Sequence, residues 1–186
     1  MIYSRETAAA SAAMKTAEKM VAAAVTAPKG CGIDNIEAII LDGEDMMKLA
    51  AYCRDIGIKN GTDFFIRDAK TIEMSHCVVL IGAKNSPILL DNCGFCGFEN
   101  CAETIEKGAN CAFNVVDLGI AIGSAVSVAA DNRIDNRVLF SGGVAALKMG
   151  CFSRDVKVCF AIPLSTYSKN IFYDRESDDS LLSSEL

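Results

Sequence analysis

The chain has no tryptophan, one histidine and no surplus of positive charge, and each shortage removes a class of function. With His76 as the sole histidine, neither a Ser-His-Asp triad nor a multi-histidine metal centre can be assembled. Lys and Arg total 18 against 24 Asp and Glu, a formal net charge of −6, whereas a nucleic-acid partner calls for a basic face. No uninterrupted apolar run reaches the ~18 to 20 residues of a membrane span; the Ala-rich stretch at 8–27 is broken by Lys15, Glu18 and Lys19. The N-terminus, "MIYSRETAAAS", lacks the basic region, apolar core and cleavage site of an export signal, so the expected location is the cytoplasm. There is no P-loop pattern, repeat, linker or break in composition. The expectation is therefore one domain over 1–175, long enough to bury its own core, followed by a solvated acidic tail at 176–186.

Apolar residues make up 51% of the chain, with a mean hydropathy of +0.27, and their spacing alternates between two periods. Residues 4–26 read as a long helix, because Ala10, Ala13, Met14, Ala17, Met20, Val21 and Ala24 recur at helical spacing before Pro28 and Gly30. "IEAIIL" at 36–41 reads as a short buried strand, with Asp42 as cap of a helix at about 44–55 that closes before Gly57. "DFFIRDA" reads as an edge strand, although its pattern is ambiguous. "CVVLIGA" at 77–83 has the length and β-branching of a core strand. Residues 113–133 read as a second long helix, 143–149 as a shorter one, and 156–164 as a strand. Helices alternating with apolar strands predict an α/β (α+β) domain with a largely covered sheet.

Nine cysteines in a chain without an export signal are poor candidates for disulfides, since the cytosol keeps thiols reduced. Cys53, Cys77, Cys151 and Cys159 sit among apolar residues and read as small core hydrophobes; Cys31 is flanked by Gly30 and Gly32, which would let a ligand approach. The other four fall within residues 92–111, "NCGFCGFENCAETIEKGANC", at the spacing Cys93-x2-Cys96-x4-Cys101-x9-Cys111. A Cys-x2-Cys pair can turn two thiolates toward one centre, and Gly94 and Gly97 can expose backbone N–H groups to its sulfurs. Four thiolates suit either tetrahedral zinc or a 4Fe–4S cluster. Zinc sites usually pair two such knuckles; one knuckle followed by single cysteines is the commoner iron–sulfur arrangement, and Phe95 and Phe98 would shield a cluster from water. The candidate ligands are Cys93, Cys96, Cys101 and Cys111, with Cys31 as the alternative fourth. Four thiolate ligands would leave no iron open to substrate, which points to electron transfer to a redox partner protein. Asp91, Glu99 and Glu103 read as solvated loop charges, or else as charges that lower the potential.

"CGFCGFENC", together with "DLGIAIGSAV", "DNRV", "TAPKGCGIDN" and "PLSTYSKNIFYDR", resembles a family of bacterial and archaeal proteins containing a ferredoxin domain, over nearly the whole chain. The resemblance implies a cytoplasmic iron–sulfur protein of anaerobes with Cys93, Cys96, Cys101 and Cys111 as its motif cysteines. A fainter resemblance is to flavin-dependent nitroreductases. "TAPKG" at 26–30 is similar to the turn that ends their first helix beside the flavin, "VVDLGIAIGSAVSVAA" to their long dimer-core helix, and "VKVCFAIPLS" to a late strand. It implies a mixed sheet wrapped by helices with an inserted iron–sulfur loop, a homodimer joined through long helices, and FMN beside Ala27, Pro28, Lys29 and Gly30. The Arg-x-Ser-x-Arg phosphate clamp of those enzymes is absent, with Arg5 alone nearby.

Two further features carry weaker signals. Gly142 and Gly143 read as lying just before a helix, where free N–H groups could seat an anion. Gly119, Gly123 and Ser124 form a small-residue stripe suited to close helix packing, within one chain or across a dimer. Asp117, set in an apolar stretch, is a candidate for a buried ion pair with one of the arginines near residue 135.

Overall fold

The structure, a computed structural model, describes residues 1–173, and the expected acidic tail at 176–186 lies outside the described residues. Along the chain the elements are α1 (Arg5–Thr26), β1 (Ile36–Leu41), α2 (Gly43–Asn60), α3 (Asp63–Glu73), β2 (Cys77–Lys84), α4 (Cys101–Glu106), α5 (Ala112–Asp131), β3 (Asp135–Asn136), α6 (Phe140–Met149) and β4 (Val156–Ser165). The strands form one sheet in the order β1-β2-β4-β3. A mixed sheet is the expectation, yet every described pairing is antiparallel. The register explains the first of them: Leu41, where β1 ends, faces Val78, where β2 begins. The two-helix excursion between them therefore returns the chain to the end of the sheet it left.

The central strand β2 is buried along Cys77–Ala83, and its period of two divides the core into two layers. Cys77, Val79, Ile81 and Ala83 face α1 and α5, with Ala17, Met20, Leu118, Ala121 and Ala125 packed over them. Val78 and Leu80 face α2, α3 and α6, against Leu49, Cys53, Phe65, Ile72 and Ala146. Each large side chain buried in this way contributes about 1.5–3 kcal/mol. α1 runs where its periodicity places it: Ser4 caps it by accepting from the Thr7 N–H, and Ala13, Thr16, Ala17, Met20 and Ala24 form the buried stripe.

Three local expectations are corrected. Residues 63–73 form a helix and not an edge strand, because Phe65, Asp68, Ala69 and Ile72 recur on one helical face that covers the sheet. α2 runs through Gly57 to Asn60 and ends at Gly61 in the left-handed conformation; the Asp42 side chain makes no capping bond. α6 starts at Phe140, so Gly142 and Gly143 lie inside the helix, not ahead of it. Both are buried against β4, and a Cβ on Gly143 would stand 1.9 Å from the Cys159 carbonyl oxygen. They supply the closeness of helix to strand, a packing role in place of free amides for an anion. The buried ion pair is likewise elsewhere than expected: Arg67 bonds the buried Asp68 at 2.9 Å, and Ser141 on α6 donates to the same carboxylate at 2.6 Å.

Candidate metal centre

The segment between β2 and α5 is an excursion fastened at its base by one side chain. The Asn85 amide donates to the Ala109 carbonyl at 2.9 Å and accepts from the Cys111 N–H at 3.0 Å. One residue on, the Ser86 N–H donates to Asn114 on α5 at 2.8 Å. The excursion holds the short helix α4, which the sequence announces through a capping pattern: Asn100 accepts from the Glu103 N–H and Glu103 accepts from the Glu99 N–H, each at 3.0 Å. Glu103 is thus occupied with local structure, while Asp91 and Glu99 are exposed charges.

Within this loop Gly94 and Gly97 adopt φ of 68° and 87°, a region that a side chain would strain. The Gly97 N–H closes on the Gly94 carbonyl at 3.0 Å, making the tight turn that brings Cys93 and Cys96 to one side. Cys101 opens α4, and Cys111 occupies the N-cap of α5 and is buried. Cys93, Cys96, Cys101 and Cys111 all line one narrow concavity of about 10 Å³, walled by Pro87, Ile88, Leu90 and Phe113. No charged side chain lines it. Phe95 lies over Phe113 in a stacked contact, ring centroids 5.5 Å apart, and its outer face is exposed. Phe98 is half-buried and outside the lining.

The four sulfurs are not equivalent. Cys96 Sγ lies 3.0 Å from the Thr104 hydroxyl; that hydroxyl, and after it the Phe98 backbone N–H, holds the thiol below its ordinary pKa. Cys111 stands at the N-cap of α5. Cys53, Cys77 and Cys159 are core residues, and Cys151 packs against the core. Burial pushes Cys53 up to about 11 and Cys77 up to about 12, and raises Cys159 and Cys151 as well.

By its chemistry this donor set suits a thiolate-bound centre, either zinc or an iron–sulfur cluster. Tetrahedral zinc, with Zn–S of about 2.3 Å, requires sulfurs about 3.8 Å apart, and among the described residues no three His, Cys, Asp or Glu side chains are gathered so as to hold a metal ion. Four thiols with glycine-rich turns and an apolar wall are chemically suited to carry the charge of an iron–sulfur core.

The loop after α1 lies beside this concavity. Gly30 packs against Phe113 and Ile88, and its N–H donates to Asp117 on α5 at 2.9 Å. Asp117 is buried and, among the described residues, pairs with no arginine. The Lys29 ammonium bonds the carbonyls of Ala24, Val25 and Ala27, closing the C-terminus of α1, while Ala27 is buried and Pro28 exposed. Cys31, at φ 54°, is exposed and outside the concavity's lining. Asn85, Asn114 and Thr104 are the site residues that sequence reasoning missed. The Asn100-x2-Glu103 pattern gave a usable signal for α4, and hence for Thr104 one turn in; nothing local marked Asn85.

The model of a family described as uncharacterized proteins containing a ferredoxin domain (DUF2148) matches residues 107–175, a stretch that includes Cys111 but begins after Cys101. A protein of Archaeoglobus fulgidus, described as uncharacterized, is 42% identical over 164 residues, covering 84% of this chain and 88% of its own length. Among solved structures, a nitroreductase of Desulfitobacterium hafniense with bound FMN has a TM-score of 0.55 at 14% identity, covering 91% of this chain and 81% of its own. A BluB-like flavoprotein of Clostridium difficile has a TM-score of 0.53 at 17% identity, covering 100% and 91%. At such identities the likeness is one of fold: a nitroreductase-like α+β domain carrying an added cysteine loop. The sequence match speaks for kinship, and the chain belongs to the family of proteins containing a ferredoxin domain.

Proposed function

We propose that this protein transfers electrons, alone or as an oxidoreductase component, with one 4Fe–4S cluster held by Cys93, Cys96, Cys101 and Cys111. The observation that carries the reading is the convergence of all four thiols on one concavity that no charged side chain lines. The family's ferredoxin domain supports the same electron-transfer role. A bound cluster supplies one-electron transfer at a potential within about −700 to +450 mV. The protein's part is to supply four thiolate sulfurs, to wall them with Ile88, Leu90 and Phe113, and to fix the loop through Asn85. Four thiolates leave no iron for substrate, so the electron passes to a redox partner protein, and the exposed edge at Phe95 is the short way out. The working location is the cytoplasm.

The partner in assembly is a second copy. α5 is long and apolar enough to cross a membrane by length and composition, but five of its residues, Leu118, Ala121, Ile122, Ala125 and Ala129, are buried in the core it shares with α1 and the sheet. Its other face exposes Val115, Val116 and Ile120, and a Cβ on Gly119 or Gly123 would meet no atom within 4 Å. Ser124 of the small-residue stripe donates to the Ala23 carbonyl on α1 at 3.0 Å, whereas Gly119 and Gly123 have open positions among the described residues, which supports pairing across a homodimer at the glycines.

A second reading is a reductase in which FMN lies beside Ala27–Gly30 and exchanges electrons with the cluster. The FMN-bound nitroreductase of like fold favours it, as does the packing of Gly30 against the wall of the cysteine concavity. Purification without oxygen separates these readings. A broad brown absorbance bleached by dithionite, with about four irons per chain, is the expected result. A structured yellow band with FMN released on denaturation would add the reductase. A colourless protein with stoichiometric zinc would overturn both.

A further inference from the structure

Thr104 is 1% exposed and its hydroxyl has two partners: the Cys96 sulfur at 3.0 Å and the Asn100 carbonyl at 3.1 Å. One hydrogen cannot serve both acceptors. While Cys96 is a thiol, its S–H can donate to the Thr104 oxygen and the hydroxyl can donate to Asn100. An iron-bound Cys96 would have no proton to give, so the hydroxyl could turn to the sulfur. The turn leaves no orphan, because the Thr104 backbone N–H also donates to the Asn100 carbonyl, at 3.2 Å. Helix geometry fixes where the hydroxyl stands: Asn100 caps α4, and Thr104 follows one turn later, on the side that lines the concavity.

We propose that the Thr104 hydroxyl, 3.0 Å from the Cys96 sulfur, is a redirectable donor that bonds that sulfur when it ligates iron and thereby raises the reduction potential of the cluster. The proposal rests on the ligand assignment above. Reduction adds negative charge that is shared with the ligand sulfurs, and a donor aimed at one of them stabilises the reduced state more than the oxidised one. Bonds to charged groups are about twice as strong as neutral ones, and burial keeps water from substituting for this one. Thr104 is in these terms a positioning and tuning residue: it touches the ligand, and acts on the iron through it.

The test is an anaerobic redox titration of the full-length protein, native and substituted, with iron content and the EPR spectrum of the reduced cluster recorded together. Thr104→Val keeps the shape and removes the donor; the expected result is a lower midpoint potential with iron per chain unchanged. Thr104→Ser keeps the hydroxyl and is expected to restore the native potential. A Thr104→Val protein that titrates at the native potential overturns the proposal while the cluster stands. Should the Val variant fail to hold iron, Thr104→Ala is compared with Thr104→Ser, and a Ser variant shifted as far down as the Ala variant overturns it. Native protein that takes up no iron overturns the proposal together with the ligand assignment.

Discussion

Surroundings, not sequence position, sort the nine cysteines. Cys53, Cys77 and Cys159 lie in the two core layers, and burial raises their thiols, Cys53 to about 11 and Cys77 to about 12. At pH 8 these groups are protonated and sterically closed, so iodoacetamide is expected to leave all three unmodified in the native apoprotein. Cys31, which is exposed, and Cys96, whose thiol Thr104 lowers, should be alkylated first. Peptide mass spectrometry reads the order directly, and rapid modification of Cys53 would contradict the burial. Gly143 makes a second prediction at this scale. Its absent Cβ admits the Cys159 carbonyl, so Gly143→Ala must push α6 off β4. The expected cost is about 3 kcal/mol or more, seen as an earlier denaturant midpoint.

Elements were legible where burial followed one period. α1, β1, β2, α5 and β4 stand where their patterns put them, because each buries a single stripe, or both faces, of apolar side chains. α3 was not, since "DFFI" has strand-forming residues and the stripe through Phe65, Asp68, Ala69 and Ile72 is visible only with Asp68 counted as inward. That choice depends on Ser141, 73 positions away, and no local window contains it. The four clustered cysteines were legible from spacing, whereas the clasp that holds their loop was not: Asn85 acts on Ala109 and Cys111 across the excursion. Asn85→Ala removes two bonds at the base of the loop and leaves both core layers intact. Its thermal unfolding is expected to change by about 1–2 kcal/mol, while iron bound to the loop should pass to a chelator several times faster than from the native protein. Equal rates of iron loss would show that the clasp is dispensable.

At the scale of the whole molecule, one helix serves two purposes. The inner face of α5 closes the core with Leu118, Ala121 and Ala125, and its first turn places Cys111, Phe113 and Asp117 at the concavity and at the Gly30 loop. Its outer face carries Val116 and Ile120, 54% and 40% exposed, beside the open positions of Gly119 and Gly123. Glycine within a helix costs about 1 kcal/mol relative to alanine, and two such positions with nothing packed on them in this chain imply a return from elsewhere. In the homodimer proposed above, a second α5 laid along the stripe would supply it, since bare glycine lets two backbones approach closely and would bury the valine and isoleucine between them. Val116→Asp places a charge in that contact. The native protein is expected to sediment as a dimer without detergent, and Val116→Asp as a folded monomer of about half the mass with its helical content kept. If the dimer survives the aspartate at micromolar concentration, α5 is not the seam, and the apolar face needs another partner.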